Sequence, residues 1–127
     1  MSHPSSLLAV VDDEPSVLAG LRHLLRACGF EAEAFTTGRA FLDSLPARRP
    51  RCVLLDIHMP GLDGYEVMAE LAASDCSVPV ILMTSDTDPA VSERAATAGA
   101  VALLRKPFTD VQMLEAIGVA LGGGAFI

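Results

Sequence analysis

Short, solid apolar runs alternate along this chain with stretches in which apolar residues recur every three or four positions. Leu7–Val11 is apolar throughout and ends on acids. Residues 15–28 then place Val17, Leu18, Leu21, Leu24, Leu25 and Cys28 on one helical face. Asp13 or Glu14 can cap that helix, Pro15 suits its first turn, and Gly29 suits its end. Residues 31–35 alternate acidic with apolar, which predicts an edge strand with one wet face. A short helix is expected over 37–45. A buried run over 52–55 ends at Asp56, and a helix over 64–73 has Asp63 as its cap. The run 80–83 ends at Thr84, and an Ala-rich helix over 89–98 lies between Asp88 and Gly99. The run 100–104 leads into Arg105, Lys106 and Pro107. Residues 110–121 carry Val111, Leu114, Ile117 and Leu121 at helical spacing.

Five strand–helix units result. Strands that are apolar on both faces need helices above and below, which means a parallel α/β sheet. With the alternating second strand at an edge, the pattern fits a flavodoxin-like (βα)5 doubly wound sheet of order 2-1-3-4-5. Residues 1–127 read as one domain, with no internal repeat or linker. Gly122, Gly123 and Gly124 end the last helix, and Ala125, Phe126 and Ile127 read as a tail.

Composition narrows the function classes. The 127 residues are 51% hydrophobic and the mean hydropathy is +0.44, which excludes a disordered polyelectrolyte. No apolar run approaches the ~20 residues of a membrane span, and no Lys or Arg precedes Leu7 as a secretory signal requires. The expectation is a cytoplasmic protein. A net charge of −7 argues against a nucleic-acid face, because phosphate contacts need clustered Lys and Arg. Arg48, Arg49 and Arg51 read as a solvated loop. Of the three cysteines, Cys28 and Cys52 sit in apolar runs and are expected buried and reduced, while Cys76 lies in a polar loop. His3 falls in a frayed N-terminus and His23 on the outer face of the first helix.

The chemistry collects at the strand ends. In an open parallel sheet, ligands bind outside the C-terminal ends of the strands near the switch point. There the chain presents Asp12 and Asp13, then Asp56, then Thr84 and Ser85, then Lys106, its only lysine. Helix capping explains one acid of the pair, but not a third acid on the neighbouring strand. Close carboxylates repel, and a hard dication such as Mg²⁺ resolves the conflict. A compact lysine ammonium suits a phosphoryl oxygen or a carboxylate.

Asp12-Asp13-Glu14, the stretch from Asp56 through His58-Met59-Pro60-Gly61 to Asp63-Gly64, Thr84-Ser85 and Lys106-Pro107-Phe108 together resemble the receiver domain of two-component response regulators. The match runs through nearly the whole chain, and it is similar to the receivers of regulators with helix-turn-helix outputs. The resemblance implies that Asp56 is the phosphoacceptor, charged by a histidine kinase or a histidine phosphotransfer protein. It implies Mg²⁺ bound by Asp13, by Asp12 through water, by Asp56 and by the His58 backbone carbonyl. Thr84 and Ser85 would bind the phosphoryl group, with Thr84 moving toward it, and Lys106 would pair with its oxygens. His58 and Asp86 would border the site and tune phosphoryl lifetime, and the Lys106-Pro107 bond is often cis in this family. The domain would be a signalling switch assisting its own phosphorylation and dephosphorylation, with homodimerisation through the last helices on phosphorylation.

One position departs from the family pattern. Three residues before the lysine, where receivers usually carry Tyr or Phe, stands Leu103. This is the one feature favouring a degenerate receiver that binds proteins without phosphorylation. A flavodoxin would need hydroxyls and backbone donors where this chain has Asp12-Asp13-Glu14. A haloacid dehalogenase-type phosphatase would need an acid at the position of His58. Kinase, signal and output are not encoded in these residues, which fit a stand-alone receiver and the N-terminal part of a DNA-binding regulator equally.

Overall fold

Apolar runs of four or five residues cannot expose either face to water, so they assemble side by side. In the computed structural model, which describes residues 7–122, these elements follow in order: β1 (Leu7–Val11), α1 (Pro15–Ala27), β2 (Glu31–Phe35), α2 (Gly38–Ser44), β3 (Val53–Asp56), α3 (Gly64–Ala73), β4 (Val80–Thr84), α4 (Ala90–Thr97), β5 (Ala102–Arg105) and α5 (Asp110–Gly122). The strands form one sheet of order β2-β1-β3-β4-β5, and every neighbouring pair is parallel. The architecture is therefore the expected flavodoxin-like one.

Alternation along the strands splits the core in two. Leu8, Val10, Leu54, Ile81, Met83 and Leu104 face α1 and α5, where they meet Leu18, Leu21, Leu25, Met113 and Ile117. Ala9, Val11, Val53, Leu55, Val80 and Leu82 face the other side and meet Phe41, Val67, Met68, Leu71 and Ala95. Each fully buried Leu or Ile stabilises the fold by roughly 2 kcal/mol relative to exposure. β1, β3 and β4 are buried at every position. The two edge strands, β2 and β5, are half wet.

Several details differ from expectation. β5 begins at Ala102, two residues later than the apolar run suggests. Ala98, Gly99 and Ala100 instead close α4: Gly99 takes φ +98°, its N–H bonds Ala96 and the Ala100 N–H bonds Ala95. This left-handed ending satisfies carbonyls that the helix would otherwise orphan. Cys28 is exposed rather than buried, because it is the C-cap of α1. Gly29 and Phe30 close the helix onto Arg26 and Leu25 in the same manner. Cys52 is buried as expected, and that burial pushes its thiol up to about 12 despite the nearby Arg51. α1 lacks the expected side-chain cap from Asp13 or Glu14; Asp12 takes the Glu14 N–H instead. Arg48 is more than a solvated loop residue, for it bridges Glu31 (3.7 Å) and Glu33 (2.9 Å) on the wet face of β2. His23 is exposed, as expected of the outer face of α1. His3, Gly123, Gly124 and the tail from Ala125 to Ile127 lie outside the described residues. Among the described residues no helix is long and apolar enough to cross a membrane.

Candidate functional site

The crossover directions separate at β1 and β3, and the crevice beyond their C-terminal ends is where the expected residues meet. Asp12 directly follows β1, with its N–H bonded to Phe35 of β2. It is fully buried, unusual for an acid. Its Oδ1 accepts the Glu14 N–H at 3.0 Å, and its Oδ2 accepts a hydrogen bond from Lys106 Nζ at 2.6 Å. Both oxygens are thus held, by the chain turning into α1 and by a cation arriving from β5.

Asp56 closes β3 and is 5% exposed. The loop after it returns sharply. The Ile57 carbonyl accepts the Gly64 N–H at 2.9 Å, Gly61 turns at φ +78°, and Ile57 and Met59 are buried beneath. Gly64 approaches the acceptor strand so closely that a Cβ would lie 2.8 Å from the Asp56 carbonyl oxygen and 2.9 Å from Ile57 Cα. Asp63 and Glu66 then form a reciprocal capping box that starts α3. The backbone around Asp56 is therefore fixed from both sides.

Thr84 ends β4, fully buried, and its Oγ1 accepts the Asp86 N–H at 3.0 Å. Its carbonyl accepts the Lys106 N–H at 2.7 Å. Lys106 directly follows β5, and its bond to Pro107 is cis. Its Nζ lies 3.6 Å from Asp56 Oδ1. A carboxylate oxygen from each of Asp12, Asp13 and Asp56 lies within 4.8 Å of the others.

Electrostatics follow from this crowding. Burial raises the Asp56 carboxyl above its ordinary value, and the Asp12 charge raises it further. Lys106 and the His58 backbone N–H lower it in part, while Asp13 adds to the rise. Burial alone would lower Lys106, but its hydrogen bond to Asp12 and the charges of Asp56, Asp12 and Glu14 overcome that and raise it. Three carboxylates share one ammonium, so the cluster lacks positive charge. All its donors are hard oxygens. This donor set fits a Mg²⁺ ion, which accepts one or two carboxylates and retains waters.

The remaining expected residues lie around this rim. His58 and Ser85 are exposed. Asp86 spends its carboxylate locally, with Oδ1 accepting the Asp88 N–H at 2.9 Å. Leu103 is half-buried and packs on the α2–α3–α4 side of the sheet. Two features escaped the sequence reading. Arg105 donates to the Asp86 carbonyl at 2.7 Å and to the Asp88 carbonyl at 3.3 Å. Arg94 stacks 4.0 Å over the Tyr65 ring, joining α4 to α3. A basic residue at the wet position of an edge strand was the available signal for Arg105.

Comparison with known proteins gives one consistent result. The family model described as response regulator receiver domain matches residues 8–118. The chain is 37% identical over 112 residues to the transcriptional regulatory protein FixJ of Bradyrhizobium diazoefficiens, covering 88% of this chain and 55% of that protein. It is similar to a solved response regulator receiver protein from Burkholderia phymatum, at 46% identity and TM-score 0.82, covering 91% of this chain and 94% of that one. The crystal structure of FixJ-N superposes with TM-score 0.86 at 31% identity, covering 96% of both chains. The chain spans about half the length of the curated relatives it matches.

Proposed function

Since the chain belongs to the family of response regulator receiver domains, we propose that Asp56 accepts a phosphoryl group from a histidine kinase or a histidine phosphotransfer protein and that the domain thereby switches an output. The observation that carries this reading is the convergence of Asp12, Asp13 and Asp56 with Lys106 Nζ set 2.6 Å from Asp12 and 3.6 Å from Asp56. Nothing in the structure favours the degenerate, phosphorylation-independent alternative.

Phosphoryl transfer asks for in-line placement and neutralisation of charge rather than for covalent help. An Asp56 carboxylate oxygen attacks the phosphorus of the phosphohistidine. The P–O bond forms as the P–N bond breaks, and the electron pair returns to the imidazole nitrogen, which takes up a proton. Asp13, Asp12 through water, Asp56 and the His58 carbonyl would hold Mg²⁺, which supplies charge neutralisation of the transferring oxygens when bound. Lys106 supplies the second positive charge from its seat between Asp12 and Asp56. The Thr84 hydroxyl and Ser85 would bind the phosphoryl oxygens. His58 and Asp86 flank the acyl phosphate and set how readily water reaches it, so the domain assists its own dephosphorylation. Homodimerisation through the last helices and a cytoplasmic setting complete the proposal. Nucleic-acid contact by this chain is not expected, given its net charge of −7.

The acyl phosphate has a diagnostic chemistry. After incubation with phosphoramidate and Mg²⁺, the bound phosphoryl group is expected to be released by hydroxylamine, leaving a hydroxamate on the peptide that contains Asp56. A hydroxylamine-resistant phosphoryl group, or a hydroxamate on another acid, contradicts the assignment.

A further inference from the structure

The loop between β4 and α4, residues 85–89, is exposed at every position, yet its backbone is tied down. Thr84 and Arg105 are register partners on β4 and β5. The Arg105 guanidinium reaches over the loop, with Nη1 bonding the Asp86 carbonyl at 2.7 Å and Nη2 the Asp88 carbonyl at 3.3 Å. The Asp86 N–H occupies Thr84 Oγ1, the Asp88 N–H occupies Asp86 Oδ1, and the Ala90 N–H opening α4 occupies Asp88 Oδ1 at 3.0 Å. An unbroken chain of hydrogen bonds therefore runs from the buried Thr84 hydroxyl to the first turn of α4. Arg105 clamps it at two points with a planar fork that a point-charge ammonium cannot imitate.

Leu103 lies two residues earlier on β5, so period-two alternation puts it on the same side of the sheet as Arg105. An aliphatic side chain there offers no polar group to the loop. Arg105 does.

We propose that Arg105 is a positioning residue, a latch that holds the β4–α4 loop in its unphosphorylated arrangement, and that its two carbonyl bonds break as Thr84 closes on the phosphoryl group. This rests on Asp56 being the phosphoacceptor. A contact made in only one of two states biases the equilibrium toward that state, and its removal favours the other. Loss of the latch therefore eases phosphorylation, although Arg105 touches no reacting atom.

The test compares wild type, Arg105→Ala and Arg105→Lys for the initial rate of mass gain with phosphoramidate and Mg²⁺, alongside amide hydrogen exchange at Asp86 and Asp88. Arg105→Ala is expected to be phosphorylated ~3- to 10-fold faster than wild type, the size expected for the net loss of one ordinary hydrogen bond at an exposed site. Arg105→Lys should fall between the two. Exchange at Asp86 and Asp88 should be faster in Arg105→Ala before phosphorylation and equal to wild type after it. A rate equal to or below wild type in both variants overturns the latch while leaving the phosphoacceptor reading intact. Failure of the wild type itself to gain a phosphoryl group overturns that reading and the latch with it. Should Arg105→Ala melt early, Arg105→Lys carries the comparison by the same criterion.

Discussion

The two halves of the strand-end rim are built in different ways. At β1 and β3, Asp12 and Asp56 are buried and held by close contacts: the Asp12 carboxylate between the Glu14 N–H and Lys106, and the Asp56 backbone beneath a glycine that admits no side chain. Of the rim residues at the ends of β4 and β5, Thr84, Ser85 and Lys106, only Thr84 is buried. The loop that follows it is exposed and held by turn-type hydrogen bonds and one half-exposed arginine. The first half is set before any ligand arrives, and so resists change. The second has few buried contacts and can rearrange at low cost. A switch needs both properties in adjacent places: a fixed site for the charge and a yielding surface that reports it.

Perturbations of the fixed half should be costly. Lys106→Met removes the cation from a fully buried carboxylate, and about 3 kcal/mol of stability is expected to go with it. Mg²⁺ should restore part of that loss by replacing the missing positive charge. Thermal melts with and without Mg²⁺ check both statements, and a variant as stable as wild type in EDTA would break the contrast. Gly64→Ala forces a Cβ to within 3 Å of two backbone atoms, and the necessary shift is expected to cost about 2 kcal/mol. Urea denaturation reads this directly, and an unchanged midpoint would mean that the acceptor strand yields more easily than its packing implies.

The same crowding sets a pH dependence. Asp56 is raised in the folded state, so the folded domain takes up its proton more readily than the unfolded chain does. The stability gained from that proton is fully present below the unfolded value and is lost as pH rises through the folded one. In metal-free protein, Asp56→Asn should therefore raise Tm more at pH 7 than at pH 4. A Tm difference that does not change with pH would show that the carboxylates are less strained than their spacing indicates. Lys106, raised likewise, adds stability that is fully present at neutral pH and is lost as pH rises from its unfolded value through its folded one. The smallest effect belongs to the yielding half. Arg94→Ala removes the stack on Tyr65, an exposed cation–π contact worth about 0.5 kcal/mol. A loss as large as that of Gly64→Ala would show that α4 is not loosely held.

The fold was legible because burial on both faces leaves an unmistakable pattern: β1, β3 and β4 read as solid apolar runs and are buried throughout. The errors lie where chain-end geometry overrides hydropathy. Ala100 is apolar and buried, yet its backbone closes α4 rather than extending β5. Cys28 continues the apolar spacing of α1 but caps its end in water. The meeting of Asp12, Asp13, Asp56, Thr84 and Lys106 was legible once the strand order was assigned, since each stands at a strand end. Arg105 was not, because its partners are backbone carbonyls of residues 17 and 19 positions away. Backbone acceptors carry no signature in side-chain sequence.

The central claim, that Asp56 is a Mg²⁺-dependent phosphoacceptor, is tested most directly by intact mass after phosphoramidate treatment, with and without Mg²⁺, beside Asp56→Asn. One phosphoryl group gained by the wild type only with Mg²⁺, and none by the variant, is the expected result. No gain under either condition, or an equal gain by Asp56→Asn, would contradict it.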